Sequence, residues 1–205
     1  MIRWAREHPD WALGFAHETW WSRFAQPYLC AWSEADQLLR LIEQTPCKDD
    51  PDRKALACYG LLLRWYTEQE QRQERIWVRF VDGRPVSAIT VQFLEWCCSK
   101  LQALDKRVLA LIWDNASWHI SQAVRSWIRA HNRQAKRTGQ GVRILVCRLP
   151  VRSPWLNPIE PHWVHGKRRI VEPERTLSAQ ELADRVCALF GCEHEPHLSI
   201  SEQTS

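Results

Sequence analysis

Two carboxylates stand out because of where they fall in the chain. Asp114 follows the apolar run Val108-Leu109-Ala110-Leu111-Ile112-Trp113, and Glu160 follows Ser153-Pro154-Trp155-Leu156-Asn157-Pro158-Ile159. A short, unbroken apolar run that stops at a turn signal reads as a strand buried on both faces. An acid at the carboxyl end of such a strand sits where open α/β sheets take their ligands. Glu160 falls at the start of a predicted helix. A strand end and a helix start can converge on one sheet edge and offer oxygen ligands to a hard cation such as magnesium. Phosphodiester cleavage by two ions needs such oxygens, placed to hold the ions about 3.5–4 Å apart. Each acid also has a plainer reading. Asp114-Asn115 suits a turn and helix cap, and Asn157-Pro158-Ile159-Glu160 suits a cap with proline in the first helical position and the glutamate favouring the helix dipole.

The elements that must position these acids follow from hydrophobic period. Trp11 to Trp20 alternates as a strand, with Leu13, Phe15 and His17 on one face and Ala16, Glu18 and Trp20 on the other. Tyr28 to Trp32 and Leu56 to Trp65 are the next strand candidates, separated by a charged connection at Pro46 to Pro51. Ile76 to Val81 is a fourth strand, closed by the Asp82-Gly83 turn. Together these predict an antiparallel meander. From Ser87, a plausible cap, the period becomes helical, with Ile89, Phe93, Leu94, Cys97, Leu101 and Leu104 on one side. After the Val108 strand, Ile120, Val124, Trp127 and Ile128 point inward on a second helix, while Arg125, Arg129 and Arg133 point out. Gly139 and Gly141 close that region, and Val142 to Leu149 is the last strand. The Ser153 string leads into another helix, and Ser178-Ala179-Gln180-Glu181 caps a final one that stops at Gly191.

Composition narrows the class. A chain of 205 residues, 45% of them hydrophobic and 13 of them tryptophan, is long enough for one domain with a real core. The formal net charge is only +4, but Asn115 to Arg175 holds twelve Lys or Arg against three acids. Between Glu34 and Glu74 nine acids face six basic residues. The basic half is therefore the candidate face for a polyanion, with an ordinary solvated surface as the alternative. Eight scattered cysteines form no C-x-x-C pair, and no apolar run approaches membrane-spanning length. A reduced, cytoplasmic protein with buried thiols is expected. Cys187, Cys192, His194 and His197 have the types for zinc, but Cys187 falls inside a predicted helix and finger spacing is lacking, so a zinc finger is not expected.

The Asp114-Asn115-Ala116 and Ser153-Pro154-Trp155-Leu156-Asn157-Pro158-Ile159-Glu160-Pro161-His162-Trp163 strings resemble the catalytic core of the mariner-like superfamily of transposases, in its bacterial insertion-sequence branch. The likeness runs from about Trp11 to Ile200 and includes Asp82-Gly83-Arg84-Pro85-Val86 and Val164-His165-Gly166-Lys167-Arg168. It implies an α/β, ribonuclease H-like fold: a mixed sheet with antiparallel first strands and flanking helices. It further implies a three-carboxylate site that binds two Mg2+ or Mn2+ ions and cuts DNA. Residues 1–10 are then expected to be a linker remnant, 11–190 the catalytic domain and 191–205 an irregular tail. The helix-turn-helix region that relatives carry before the core is expected to be absent, encoded separately or lost.

By this resemblance Asp114 and Glu160 match the second and third catalytic acids and are the expected metal ligands. The 46-residue interval between them exceeds that of compact eukaryotic relatives, and Asn132 to Gly141 is the expected extra loop. Relatives begin the site with Asp-Glu-Thr-Trp, whereas this chain has His17-Glu18-Thr19-Trp20. Imidazole is a poor magnesium ligand and cannot bridge two ions. Glu18 is a substitute in type, but strand alternation turns it to the other face. The implied function is DNA cleavage and strand transfer in transposition, impaired by His17. A non-cutting DNA-binding or regulatory remnant is one alternative and a host nuclease on the same fold another. Double-stranded DNA is the implied partner and a homodimer is expected, since the reaction joins two ends. Lys167, Arg168 and Arg169, about two helical turns past Glu160, are candidate phosphate contacts or simply a basic helix end. Asn115, Ser117, His119, Asn157 and His162 are candidates for orienting ligands or touching DNA. Trp118, Trp155 and Trp163 are candidates for base stacking, with core packing the stronger reading for all three.

Overall fold

A computed structural model describes residues 2–24, 47–151, 153–170 and 175–200. The expected strand at Tyr28 to Trp32 lies outside the described residues. The strands are β1 (Trp11–Ser22), β2 (Ala55–Tyr66), β3 (Arg72–Val81), β4 (Val108–Trp113) and β5 (Arg143–Arg148). The helices are α1 (Ile2–Glu7), α2 (Ser87–Gln102), α3 (Gln122–Thr138), α4 (Glu160–Ile170) and α5 (Ala179–Phe190), with a 3-10 turn at Pro154–Leu156. The strands form one sheet in the order β3-β2-β1-β4-β5. β1, β2 and β3 pair antiparallel as the expected meander, and β1, β4 and β5 pair parallel.

Strand alternation divides the core in two. Ala12, Ala16, Leu61, Leu63, Leu109 and Leu111 face α2 and α3, where they meet Ile89, Phe93, Leu101, Val124 and Ile128. Leu13, Phe15, Leu62, Ala110 and Ile112 face the other way, against Ala5 of α1, Ile159, Trp163 and Ile170 at α4, and Leu182 and Val186 of α5. All six residues of β4 are buried, which explains their unbroken apolar run: this strand lies inside the sheet with helices over both faces. Each aliphatic side chain buried there contributes about 1.5–3 kcal/mol.

Several local expectations differ from the fold. Residues 2–7 form α1, where no periodicity predicts an element, and Ala5 is buried against the second core layer. Ser87 is the first helical residue rather than the cap of α2; Val86 holds the cap position without a side-chain bond. Thr90 closes that first turn instead, donating its hydroxyl to Val86 O while sharing a second bond with the Tyr59 hydroxyl. Asn132 to Gly141 is not a loop: α3 runs through it to Thr138 and stops at Gly139 in the left-handed region. Its apolar stripe continues to buried Ala135, and the Asn132 amide pairs with both Ile144 N and O on β5, which ties the helix to the sheet edge. At α5 the Ser178 hydroxyl accepts from Glu181 N, as the capping sequence predicts. Between Cys192 and Ile200 the described residues form no helix or extended strand, but Leu198 is buried and bridges Val81 on β3.

Candidate active-site cleft

Three elements end at one place. β1 and β4 run parallel, so their carboxyl ends lie on the same sheet edge, and the start of α4 returns to it. His17, Asp114 and Glu160 line one cleft of about 280 Å³ together with Asn115, Leu149, Ser153 and Asn157. The return of α4 is fixed by Asn157, which is buried and donates its amide to Ala16 O on β1. Regular α4 begins at Glu160, and the turn before it carries the expected cap contacts: Asn157 Oδ1 accepts from Ile159 N at 3.5 Å, past Pro158, and Asn157 O accepts from Glu160 N at 3.1 Å. Asn157 thus serves the helix start and anchors it to the sheet.

The His17 imidazole is held from two sides. The Trp163 indole N–H donates to Nδ1 at 3.1 Å, and Nε2 lies 2.8 Å from Glu160 Oε1. Because an indole can only donate, Nδ1 must accept, which leaves Nε2 to carry the hydrogen that Glu160 receives. Trp163 reaches this position because β2 has Gly60 directly opposite His17. A Cβ on Gly60 would stand only 2.2 Å from Trp163 Cη2.

Asp114 faces the cleft from the other side, with its side chain 43% exposed. Its Oδ1 accepts from Ala116 N at 2.9 Å and from His119 Nδ1 at 2.7 Å. The second ring nitrogen of His119 meets Glu18 Oε1 at 2.6 Å. His119 is 1% exposed and stacks on Trp113 at 4.3 Å. Both of its nitrogens face carboxylate oxygens, which only accept, so both carry hydrogen and the ring is an imidazolium. Burial opposes that charge, but the bonds to Asp114 and Glu18 outweigh it and raise the His119 pKa to about 9. The same His119 bond is the main reason the Asp114 carboxyl is held below its ordinary range.

Glu18 is therefore spent on the opposite face, as alternation of β1 requires. The donor set left in the cleft is two carboxylates and one imidazole. Among the described residues no group of three or more His, Cys, Asp or Glu side chains is arranged to hold a metal ion. Magnesium takes oxygen ligands, so these residues do not fit a pair of magnesium ions.

The other expected residues are dispersed. Lys167, Arg168 and Arg169 are exposed at the end of α4. Although Lys167 is exposed as a whole, its ammonium leans over the Trp21 ring, and this partial desolvation lowers its pKa while the charge of Glu160 opposes that shift. Asn115 donates to Leu149 O, Ser117 is exposed and His162 is partly exposed. Trp163 is 2% exposed and packs edge-on against Trp21 and Phe190, a core role; Trp155 is 76% exposed and Trp118 intermediate. Local pattern alone leaves open what His119 does. The signal available was a histidine five residues past the strand-end acid, close enough in a tight turn to fold back on it.

The seven cysteines among the described residues are free thiols, and none of the described helices is long and apolar enough to cross a membrane. The family profile described as DDE superfamily endonuclease matches residues 63–183, more than half of the chain. No curated protein sequence matches it. Among solved structures, the chain is similar to the Mos1 transposase paired-end complex with left transposon end, at TM-score 0.57 and 14% identity over 94% of this chain and 51% of that one. It is also similar to a pre-cleavage Mos1 transpososome, at TM-score 0.56 and 13% identity over 94% and 52%. The mariner Mos1 paired end complex with Mg gives TM-score 0.55 and 14% identity over 92% and 50%. The chain thus spans about half the length of these transposases and shares their ribonuclease H-like fold.

Proposed function

Because the chain belongs to the DDE superfamily endonucleases, we propose that it is a transposase catalytic domain whose DNA cleavage is impaired by His17. Its reaction would cut DNA at the ends of a mobile element and join the freed 3′ hydroxyl to target DNA. The observation that carries this reading is the convergence of Asp114, Glu160 and position 17 on one cleft. The near-intact Asp-Asn-Ala and Ser-Pro-x-Leu-Asn-Pro-Ile-Glu strings support an origin in a bacterial insertion sequence. Double-stranded DNA is the partner, and a reaction that joins two ends calls for a dimer. Free thiols fit a cytoplasmic setting.

An intact site of this kind would use divalent ions to activate water and stabilise the leaving oxygen. Asp114 and Glu160 are the residues here with the chemistry to hold Mg2+ or Mn2+. His17 supplies no charge to bridge two ions and takes up a Glu160 oxygen. His119 orients Asp114 by occupying Oδ1. The second reading, a remnant that binds DNA without cutting it, is favoured by the same histidine.

Nicking of DNA that carries the element's ends separates the two, with Asp114→Ala as the blank. The His17→Asp variant is expected to cut about 100-fold faster than the native chain in magnesium, since a missing ion ligand costs several kcal/mol of transition-state stabilisation. Native cutting at the variant's rate would refute the impairment. Absence of cutting by either protein would favour the binding remnant.

If Lys167, Arg168 and Arg169 contact phosphates, DNA affinity falls linearly with log salt, and replacing all three with alanine lowers the slope by about 2–3. A slope unchanged by the triple replacement, measured by fluorescence anisotropy, would remove them from the DNA face.

A further inference from the structure

A second group of histidines lies away from the cleft, where the segment after α5 crosses β3. Leu198 anchors it: Leu198 N donates to Phe80 O and Asp82 N donates to Leu198 O, each at 2.8 Å. Glu195 fixes it further through Arg79, Lys100 and the Trp96 indole. Beside these anchors, His194 and His197 point at each other, with their Nε2 atoms 3.3 Å apart.

The outer nitrogen of each ring meets a carboxylate. His194 Nδ1 lies 2.7 Å from Asp184 Oδ1, and His197 Nδ1 lies 3.0 Å from Asp82 Oδ1. The Gln180 amide, 3.0 Å from His194 Nδ1, also donates to both Asp184 oxygens. A carboxylate only accepts; with the ring hydrogen on each Nδ1, aimed at Asp82 and, across the shorter of the two contacts of His194, at Asp184 rather than Gln180, each Nε2 presents a bare lone pair. Two lone pairs facing each other repel unless a proton or a metal ion stands between them. Two nitrogens each about 2.0 Å from one ion at a tetrahedral angle lie about 3.3 Å apart. A histidine whose outer nitrogen is held by a carboxylate is also the usual support for a zinc ligand. The side chains of His194 and His197 are 17% and 23% exposed, so an ion can reach them from solvent.

We propose that His194 and His197 bind one divalent transition-metal ion of the zinc class, with Asp184 and Asp82 as outer-shell partners and water in the remaining positions. Imidazole ligands select such an ion over magnesium. Cys187 is not among the ligands: it is buried in the core, and donating its thiol hydrogen to Cys192, together with burial, pushes its pKa up. The bound ion would pin the crossing segment to α5 and to the end of β3, a strand at the edge of the sheet. The proposal is independent of the cleft.

Zinc titration of the full chain by calorimetry, after removal of metal with a chelator, tests this. In the Asp114→Ala background, where the cleft takes no ion, one ion per chain is expected, with affinity reduced at least 10-fold on adding His194→Phe or His197→Phe, where the ring still packs near Phe80. Asp82→Asn in that background is expected to weaken binding by about 10–100-fold. Zinc at a hundredfold excess over its Kd should raise the melting temperature by about 5–10 °C. That rise should vanish in both phenylalanine variants, whose folding is checked by circular dichroism. Cobalt should give a visible spectrum without a thiolate charge-transfer band. Native-like zinc affinity in both phenylalanine variants, no zinc binding by the native chain, or a thiolate band would each overturn the proposal.

Discussion

Replacing His119 with alanine is expected to cost the fold about 3–5 kcal/mol, because it leaves a buried carboxylate without its counter-charge. Glu18 has a side chain only 8% exposed and meets the His119 imidazolium at 2.6 Å. The same imidazolium holds Asp114 at the cleft, so the loss reaches the site as well as the core. The pH dependence has a definite sign. His119 is raised to about 9 from 6.5, so its stabilisation is complete below pH 6.5 and is lost as pH rises through 9. Asp114 is lowered from 3.8, so its share is present above pH 3.8 and is lost as pH falls through its depressed value. Between pH 7 and pH 10 the native chain should lose on the order of 3 kcal/mol more than His119→Ala does, measured by urea unfolding. Adding Glu18→Gln to His119→Ala should recover at least half of the loss, since the buried charge is then gone. Parallel pH profiles for native and variant, or a loss under 1 kcal/mol, would contradict the relay.

Gly60→Ala is expected to cost about 3 kcal/mol or more. A Cβ at that position would overlap Trp163 Cη2 and Cζ2 at 2.2 and 2.3 Å, and the indole is wedged against Trp21 and Phe190. The ring must leave its slot, so the cost approaches that of removing a buried tryptophan. His17 then loses the indole N–H that fixes its tautomer. Trp163→Phe in the Gly60→Ala background should be more stable than Gly60→Ala alone, because the smaller ring no longer meets the added methyl. Simple additivity of the two losses in a double-mutant cycle would show that the ring does not lie over Gly60.

The parts of the fold legible in the sequence are those set by local period and local chemistry. β4 shows as an unbroken apolar run because both its faces are buried, and the Ser178 cap shows because its partner is three residues away. The opposite facing of His17 and Glu18 follows from alternation alone. The partnership of His119 with Glu18 does not, since 101 residues separate them and only the parallel pairing of β1 with β4 brings them together. Gly60 under Trp163 is hidden for the same reason: a glycine in a strand announces a close approach without saying what approaches. The helical end of α3 was hidden by its polarity, because the stripe there narrows to Ala135 while Asn132 works through backbone bonds to β5. The facing of His194 and His197 depends on the Leu198 bridge, which no local pattern encodes.

In the proposed function, the residue at position 17 decides whether this cleft forms a two-ion site. Electron paramagnetic resonance of Mn2+ tests that directly by counting the ions bound to the native chain and to His17→Asp. Both proteins would carry His197→Phe, so that the paired histidines take up no ion. At most one ion is expected with histidine at position 17 and two with aspartate, and Asp114→Ala should abolish cleft binding in both. Equal counts for histidine and aspartate would contradict the account.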